Sequence, residues 1–342
     1  MAFIRRFHVI DSHTAGEPTR VVTDGFPELE GETLREMEAD LLANHSDLAK
    51  MLVGEPRGHA PWHAVLPLPP FHPEADLSML ILSALGSLTM CGHALIGTVT
   101  SLVEMFRIEP VEPVTRVAVE TLSGLVVAEA RIEGTKVKSV TFQGVPSWVG
   151  LTGLEVEVDG RPIEVDIAFG GLWFALVRIE QIGLPIAVES VPNLVALSHR
   201  IRLAVNSALR ERTGLPPGTP EKVEQLLYVG PPRSAGADGQ NLATSTGLGF
   251  DRSPCGTGSC ARMAWHHARG ELAVGDTFVH ESVLNTMFTG TVEAETEVSG
   301  RRAIIPTITG SAYLTGLNQL VLDKHDPLGE GFFIPAAGSI DA

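Results

Sequence analysis

The feature that most limits what this chain can become is a pair of Cys-Gly dipeptides, each opening a helix-like segment in an otherwise strand-rich sequence. Met90-Cys91-Gly92-His93 leads into a segment ending near Phe106, with Leu95, Ile96, Val99, Leu102, Val103 and Phe106 as its apolar residues. Asp251-Arg252-Ser253-Pro254-Cys255-Gly256-Thr257-Gly258 leads into a second helix ending near Arg269, with Gly270 placed to cap it. The parallel predicts two related halves, each delivering one cysteine at a helix start. At 342 residues the chain has room for about two domains.

The rest of the pattern is mixed. A strand is expected at Phe7–Ile10. A helix is expected from Thr33 to Leu52, with Leu34, Met37, Leu41, Leu48 and Leu52 near one face and Gly54 beyond it. Between Val114 and Val177, β-rich runs alternate with Gly, Pro and Asp turns. A helix follows from about Asn193 to Arg212, closed by Gly214, and more strands lie between Thr277 and Leu322. Long strand runs interrupted by a few helices predict an α+β architecture rather than a doubly wound parallel sheet.

Charge and cysteine content narrow the function classes. A formal net charge of -16 argues against nucleic-acid or anionic-membrane partners, which need a basic surface. The apolar run Leu77–Leu88 is too short to span a bilayer and carries Ser78, Ser83, Gly86 and Ser87. Met1–Asp11 lacks a signal peptide's apolar stretch, so a cytoplasmic location is expected. Three cysteines are too few for a disulfide scaffold and are expected to be free thiols.

Both Cys-Gly motifs place a thiol just before the first turn of a helix. There, N–H groups without intrahelical acceptors and the helix dipole favour an anion and lower a cysteine pKa. Gly92, Gly256 and Gly258 leave room for a small anion, such as a substrate carboxylate, beside the backbone. An isolated buried cysteine is usually a small hydrophobe, and Cys260, inside the second helix, fits that description. Two thiols at two helix starts suit inversion of an α-carbon, where one group removes a proton from one face and the other returns one to the opposite face. His93 is a candidate donor to the substrate carboxylate, or a satisfied histidine at a helix start. Asp251 is a candidate anchor for a substrate ammonium, or a turn-forming aspartate. Thr257 is a candidate carboxylate donor, or a capping residue.

The segments MCGH and DRSPCGTG resemble the paired active-site signatures of the proline racemase family. Further matches are His8–Val22 (HVIDSHTAGEPTRVV), Glu55–Ala60 (EPRGHA), Asp166–Ala175 (DIAFGGLWFA), Gly230-Pro231-Pro232 and Ile308–Ala312 (ITGSA), so the likeness spans nearly the whole chain. It implies two similar domains of the diaminopimelate epimerase type, each with strands wrapped round a central helix, and an active site between them. One domain would take residues 1–145, joined by 320–342, and the other 146–319. The resemblance implies Cys91 and Cys255 as catalytic residues and Gly92, His93, Asp251, Gly256 and Thr257 as substrate-binding residues. It implies neither pyridoxal phosphate nor metal, in keeping with a secondary amine that cannot form the usual imine. The expected partner is a small molecule, proline or hydroxyproline, bound by a monomer or homodimer.

Within that family the expected activity is 4-hydroxyproline 2-epimerase, with proline racemase as the alternative. Dehydratases acting on trans-3-hydroxy-L-proline resemble the same pattern but typically carry Thr at the second cysteine, so Cys255 favours inversion. Intact thiols in both motifs argue against a silent amino-acid binding protein, and the absence of Cys-x-x-Cys spacing argues against a thiol redox protein. The chain departs from the epimerase pattern at Leu172-Trp173-Phe174, where GGNFYA is usual, at Ala84–Thr89, and at Asp238, where many epimerases have histidine.

Overall fold

The computed structural model describes residues 3–334 except 85, 217, 247 and 248. Leu85 of the apolar run, and residues 335–342 of the segment expected to rejoin the first domain, lie outside the described residues. Chain contacts divide the protein into two compact units. The first runs to Phe142 and includes Gly310–Ile334; the second is Gln143–Thr309. The junctions expected from the sequence, after 145 and after 319, lie three and ten residues later.

The first unit contains β1 (Phe3–Thr14), β2 (Glu17–Asp24), α1 (Leu34–Asn44), α2 (Ser46–Val53), β3 (His63–Leu68), β4 (Leu77–Ser83) and β5 (Gly86–Leu88). It continues with α3 (Gly92–Glu104), β6 (Val114–Thr121), β7 (Gly124–Glu133) and β8 (Lys136–Gln143). The second unit contains β9 (Trp148–Val158), β10 (Arg161–Phe169), β11 (Trp173–Arg178), α4 (Val191–Glu211), β12 (Gln225–Gly230) and β13 (Gly239–Ser245). It ends with α5 (Gly256–Ala268), β14 (Thr277–Glu281), β15 (Met287–Val298) and β16 (Arg301–Gly310), after which β17 (Ala312–Asp323) returns to the first unit.

The two units share one topology. In the first, β17, β1 and β2 pair antiparallel, β2 and β3 parallel, β3 and β4 antiparallel, β4 and β6 parallel, and β6, β7 and β8 antiparallel. In the second, β9, β10 and β11 pair antiparallel, β11 and β12 parallel, β12 and β13 antiparallel, β13 and β14 parallel, and β14, β15 and β16 antiparallel. Parallel neighbours need a long crossover. The crossovers supply the helices: α1 and α2 or α4 at the first, α3 or α5 at the second. β17 thus fills in the first unit the place β9 holds in the second, with Thr14 opposite Ala312 and Phe7 opposite Leu320.

Each second crossover forms a helix wrapped by strands. Helix α3 packs on β1, β2, β3, β7 and β17, and every residue from Gly92 to Val103 is buried. Helix α5 packs on β9, β10, β11, β13 and β15. Helix α3 is apolar or small nearly all round because it has no solvent face, whereas α5 also buries Arg262 and His267, which donate to the Gln240 and Leu272 carbonyls. The remaining helices cover other cores: α1 and α2 seal Phe7, Leu66, Leu80 and Leu82, while α4 buries Leu194, Ile201 and Val205 with Val165, Ile167 and Tyr228. Among the described residues no helix is long and apolar enough to cross a membrane.

Three local expectations need correction. The helix expected over Thr33–Leu52 is two helices, broken at His45, whose extended φ of -138° ends α1 and starts α2. Asn44, His45 and Ser46 are poor helix formers. Thr33 instead caps α1 in a capping box with Glu36. The helix after Cys91 stops at Glu104: Phe106 has φ of 54°, so that Arg107 and Ile108 N–H groups turn back to the Leu102 carbonyl, and its ring is 65% exposed. The strand expected at Phe7–Ile10 extends over all of β1.

Candidate active site

Cys91 is the N-cap of α3, with extended φ and ψ of -149° and 120°. Its Sγ lies 3.1 Å from His93 Nδ1 and 3.4 Å from His63 Nδ1. The two imidazoles stack with centroids 4.5 Å apart and planes 21° apart. Burial pushes the His63 imidazole down to about 4. Burial, and then His63 beside it, pushes His93 well below its ordinary value. Both rings are therefore neutral at pH 7, and a neutral imidazole carries one donor and one acceptor nitrogen. Such a ring can accept from a thiol or donate to a thiolate, so Cys91 can change protonation state without losing its partners.

The N-terminal segment His8–Val22 holds this arrangement from behind. Thr14 Oγ1 donates to the His93 carbonyl at 2.8 Å. Asp11 and Arg20 form a buried two-pronged ion pair at 2.8 and 2.9 Å, and Arg20 also donates to the Leu52 and Arg57 carbonyls. Arg57 in turn reaches the Val321 and Gly329 carbonyls, tying the β3 entry to the returning C-terminal segment. These motif residues serve the scaffold.

Cys255 is the N-cap of α5 and is built differently. Its φ is 67°, a left-handed conformation that costs an L-residue on the order of 1–3 kcal/mol. Two successive turns impose it: Ser253 N–H donates to Asp251 Oδ1 at 2.8 Å, and Cys255 N–H donates to Ser253 Oγ at 3.1 Å. The Pro254 carbonyl accepts from Asn241 Nδ2 at 3.0 Å and from Ser259 Oγ at 3.3 Å. Asn241 is oriented by Arg262, whose guanidinium donates to Asn241 Oδ1 at 2.8 Å. Cys255 Sγ accepts from Gly258 N–H at 3.3 Å and lies 3.8 Å from Thr257 Oγ1. Burial raises the Asp251 carboxyl above its ordinary value, against hydrogen bonds from Ser253 and Cys255 that pull it down. The turn role of Asp251 is thus present in the geometry alongside the candidate anchoring role.

Gly170 explains the double glycine between β10 and β11. A Cβ there would stand 2.2 Å from the Thr257 carbonyl oxygen and 2.4 Å from Ala261 N. The strand turn is pressed directly onto the first turns of α5. Asp166, four residues earlier, accepts from Trp265 Nε1 at 2.7 Å and fixes the same helix farther along. Leu172 is 42% exposed, and Trp173 packs edge-on against Trp148 and beside Phe169. Asp238 accepts from Val279 N–H at 2.7 Å, tying β13 to β14.

Of the sequence candidates, Cys91, Gly92 and His93 are together at the start of α3, and Asp251, Cys255, Gly256 and Thr257 at the start of α5. Cys260 is buried within α5, and burial pushes its thiol up to about 12. Sequence reasoning missed His63. Nothing local marks it; only the parallel pairing of β2 with β3, Thr19 opposite His63, brings the start of β3 beside α3. It also missed Ser253 and Asn241, which shape the loop before Cys255.

The profile of the family described as "Proline racemase" matches residues 9–333. The chain is 40% identical over 331 residues to a 4-hydroxyproline 2-epimerase of Streptosporangium roseum, covering 96% of this chain and 99% of that protein. It is 37% identical over 336 residues to the proline racemase of Clostridioides difficile, covering 98% and 100%. A crystal structure of a hydroxyproline epimerase from Agrobacterium vitis with bound trans-4-hydroxy-L-proline superposes with a TM-score of 0.85, at 32% identity and 99% coverage of both chains.

Proposed function

Because the chain belongs to the proline racemase family, we propose that it inverts the α-carbon of a proline-type amino acid, with 4-hydroxyproline as the preferred substrate. The observation that carries this reading is a thiol at the N-cap of each of the two topologically equivalent helices, α3 and α5. Inversion needs one acid/base group for each face of the α-carbon, and Cys91 and Cys255 are the two thiols assigned to those roles. In one direction one sulfur, as thiolate, takes the α-proton while the other, as thiol, delivers its own; in the reverse direction the roles exchange.

Removing an α-proton places negative charge on the substrate carboxylate. The first-turn N–H groups of a helix have no intrahelical acceptor, so those of Gly92, His93, Gly256 and Thr257 are donors suited to that developing charge. The Thr257 hydroxyl adds a side-chain donor. Asp251 faces the substrate ammonium in this scheme, and the incoming cation offsets the burial that raises its carboxyl.

The test is incubation with trans-4-hydroxy-L-proline and with L-proline in heavy water, following optical rotation and α-deuterium. Inversion accompanied by deuterium uptake is expected, faster with the hydroxylated substrate. Failure of both substrates to exchange defeats the assignment. Faster inversion of L-proline makes the protein a proline racemase.

A further inference from the structure

We propose that His63, Cys91 and His93 form a binding site for a soft divalent cation of the Zn²⁺ class, which withdraws the Cys91 thiol from proton transfer. The site stands on geometry; its consequence for activity rests on the reading of Cys91 given above.

Three donor atoms from three backbone positions converge. His63 begins β3, Cys91 caps α3 and His93 lies on the first turn of α3, and their ligating atoms all lie within 4.8 Å of one another. Two imidazoles and a thiolate are donors that zinc takes readily. With Zn–S near 2.3 Å and Zn–N near 2.0–2.1 Å, a tetrahedral centre sets sulfur and nitrogen roughly 3.5 Å apart. The observed Sγ to Nδ1 separations are 3.1 and 3.4 Å. The ion therefore needs little widening around sulfur, although the stacked rings must tilt for both nitrogens to point at one centre. Cys255 is met instead by a backbone N–H and hydroxyl and carboxyl groups, so the two thiols are not equivalent in this respect.

Three protein ligands leave a fourth position for water or for the amine or carboxylate of an amino acid. Binding exchanges the thiol proton, released to solvent, for a metal–sulfur bond. No electrons move. A sulfur held in that bond has neither a proton to give nor a free lone pair positioned to take one, so inversion stops until the ion leaves. The site is a brake on the thiol and not a cofactor site.

The experiment uses the full-length protein, stripped with EDTA, desalted and titrated with ZnCl₂ and, separately, CoCl₂. Bound metal is measured by elemental analysis after gel filtration, the cobalt spectrum is recorded, and inversion is followed by optical rotation in parallel. One equivalent of metal, a cobalt–thiolate charge-transfer band, and loss of most of the inversion, restored by EDTA, are expected. His63→Gln should weaken zinc binding at least about tenfold, the scale of losing a metal-site partner. Cys91→Ser should abolish the cobalt band, and Cys255→Ser should leave it intact. Absence of stoichiometric metal, or binding that is indifferent to His63→Gln and Cys91→Ser, overturns the site. Binding that depends on His63 and Cys91 while inversion proceeds unchanged supports the site and defeats the assignment of Cys91 to proton transfer.

Discussion

Gly170→Ala tests how tightly the Cys255 helix is positioned. The added methyl meets backbone on both sides: the Thr257 oxygen at 2.2 Å, Ala261 N at 2.4 Å and Ala261 Cα at 3.0 Å. Neither neighbour is the far end of a flexible side chain, so the strand turn and the start of α5 must separate by about 1 Å to restore ordinary contact in a close-packed interior. Overpacking of this kind costs about 1–3 kcal/mol. For a unit of this size that corresponds to a fall in Tm of roughly 2–4 °C per kcal/mol. The displaced turn carries Gly256 and Thr257 and adjoins the Cys255 sulfur. A misplacement of about 1 Å at reacting groups costs on the order of 100-fold in rate.

The assay is the initial rate of optical rotation change, with kcat and KM separated, beside a calorimetric Tm on the same preparation. The expected pattern is a modest loss of stability with a disproportionate loss of kcat. A variant with wild-type kcat and an unchanged Tm refutes the claim that this glycine sets the position of α5. A variant with a lower Tm but full kcat shows that the contact matters to packing alone.

Three further outcomes follow from the same geometry. Cys91→Ser and Cys255→Ser should each lower inversion by about 10²–10⁴-fold, the scale of a lost acid/base group, while α-deuterium exchange from one face survives; unimpaired inversion in either variant removes that cysteine from the mechanism. Asp251→Asn should raise KM by about tenfold or more, since hydrogen bonds to charged groups are worth about 1.5–3 kcal/mol, and steady-state kinetics at neutral pH checks it. His63 stays unprotonated in the fold until about pH 4, whereas the unfolded chain protonates near 6.5. The unfolded state therefore binds more protons in that window, and stability falls with acidification from 6.5 towards 4 by up to about 1.4 kcal/mol per pH unit for this ring. Urea midpoints measured across that range should show a shallower acid slope in His63→Gln; an unaltered slope contradicts the buried-imidazole account.

Much of the candidate site was legible because it is local. A cysteine followed by glycine at a helix start fixes both the thiol position and the N–H groups beside it, and α3 and α5 begin where Gly92 and Gly256 indicated. The α+β class was legible from alternating strand runs. What was not legible depends on pairing between distant segments. His63 reaches Cys91 only through the register of β2 with β3, and a histidine opening a strand carries no mark of that. The break at His45 reflects a local propensity dip in an otherwise continuous helical period. The two extra residues assigned up to Phe106 followed from reading an apolar residue as buried, when its role is to close the helix in a left-handed cap.

The shared topology makes the difference between the two thiols informative. Both occupy the N-cap of the second-crossover helix, yet Cys91 is extended and met by two imidazoles, His63 and His93, while Cys255 is left-handed and met by the Gly258 N–H, the Thr257 hydroxyl and the Asp251 carboxyl of its own loop. Under the two-base scheme the free enzyme exists in two proton isomers, thiolate at Cys91 or thiolate at Cys255. Detailed balance ties the ratio of forward and reverse kcat/KM to the substrate equilibrium, so unequal thiols leave that ratio untouched. They do set the resting population of the two isomers, and only the thiolate reacts with an alkylating agent. Limiting iodoacetamide, quenched early and read by peptide mass spectrometry, should therefore label Cys91 and Cys255 unequally and leave the buried Cys260 unmodified. His63→Gln should shift the Cys91 to Cys255 ratio, because it alters the partners of one thiol alone. Equal labelling that ignores His63→Gln would mean that the imidazoles are bystanders to the Cys91 proton.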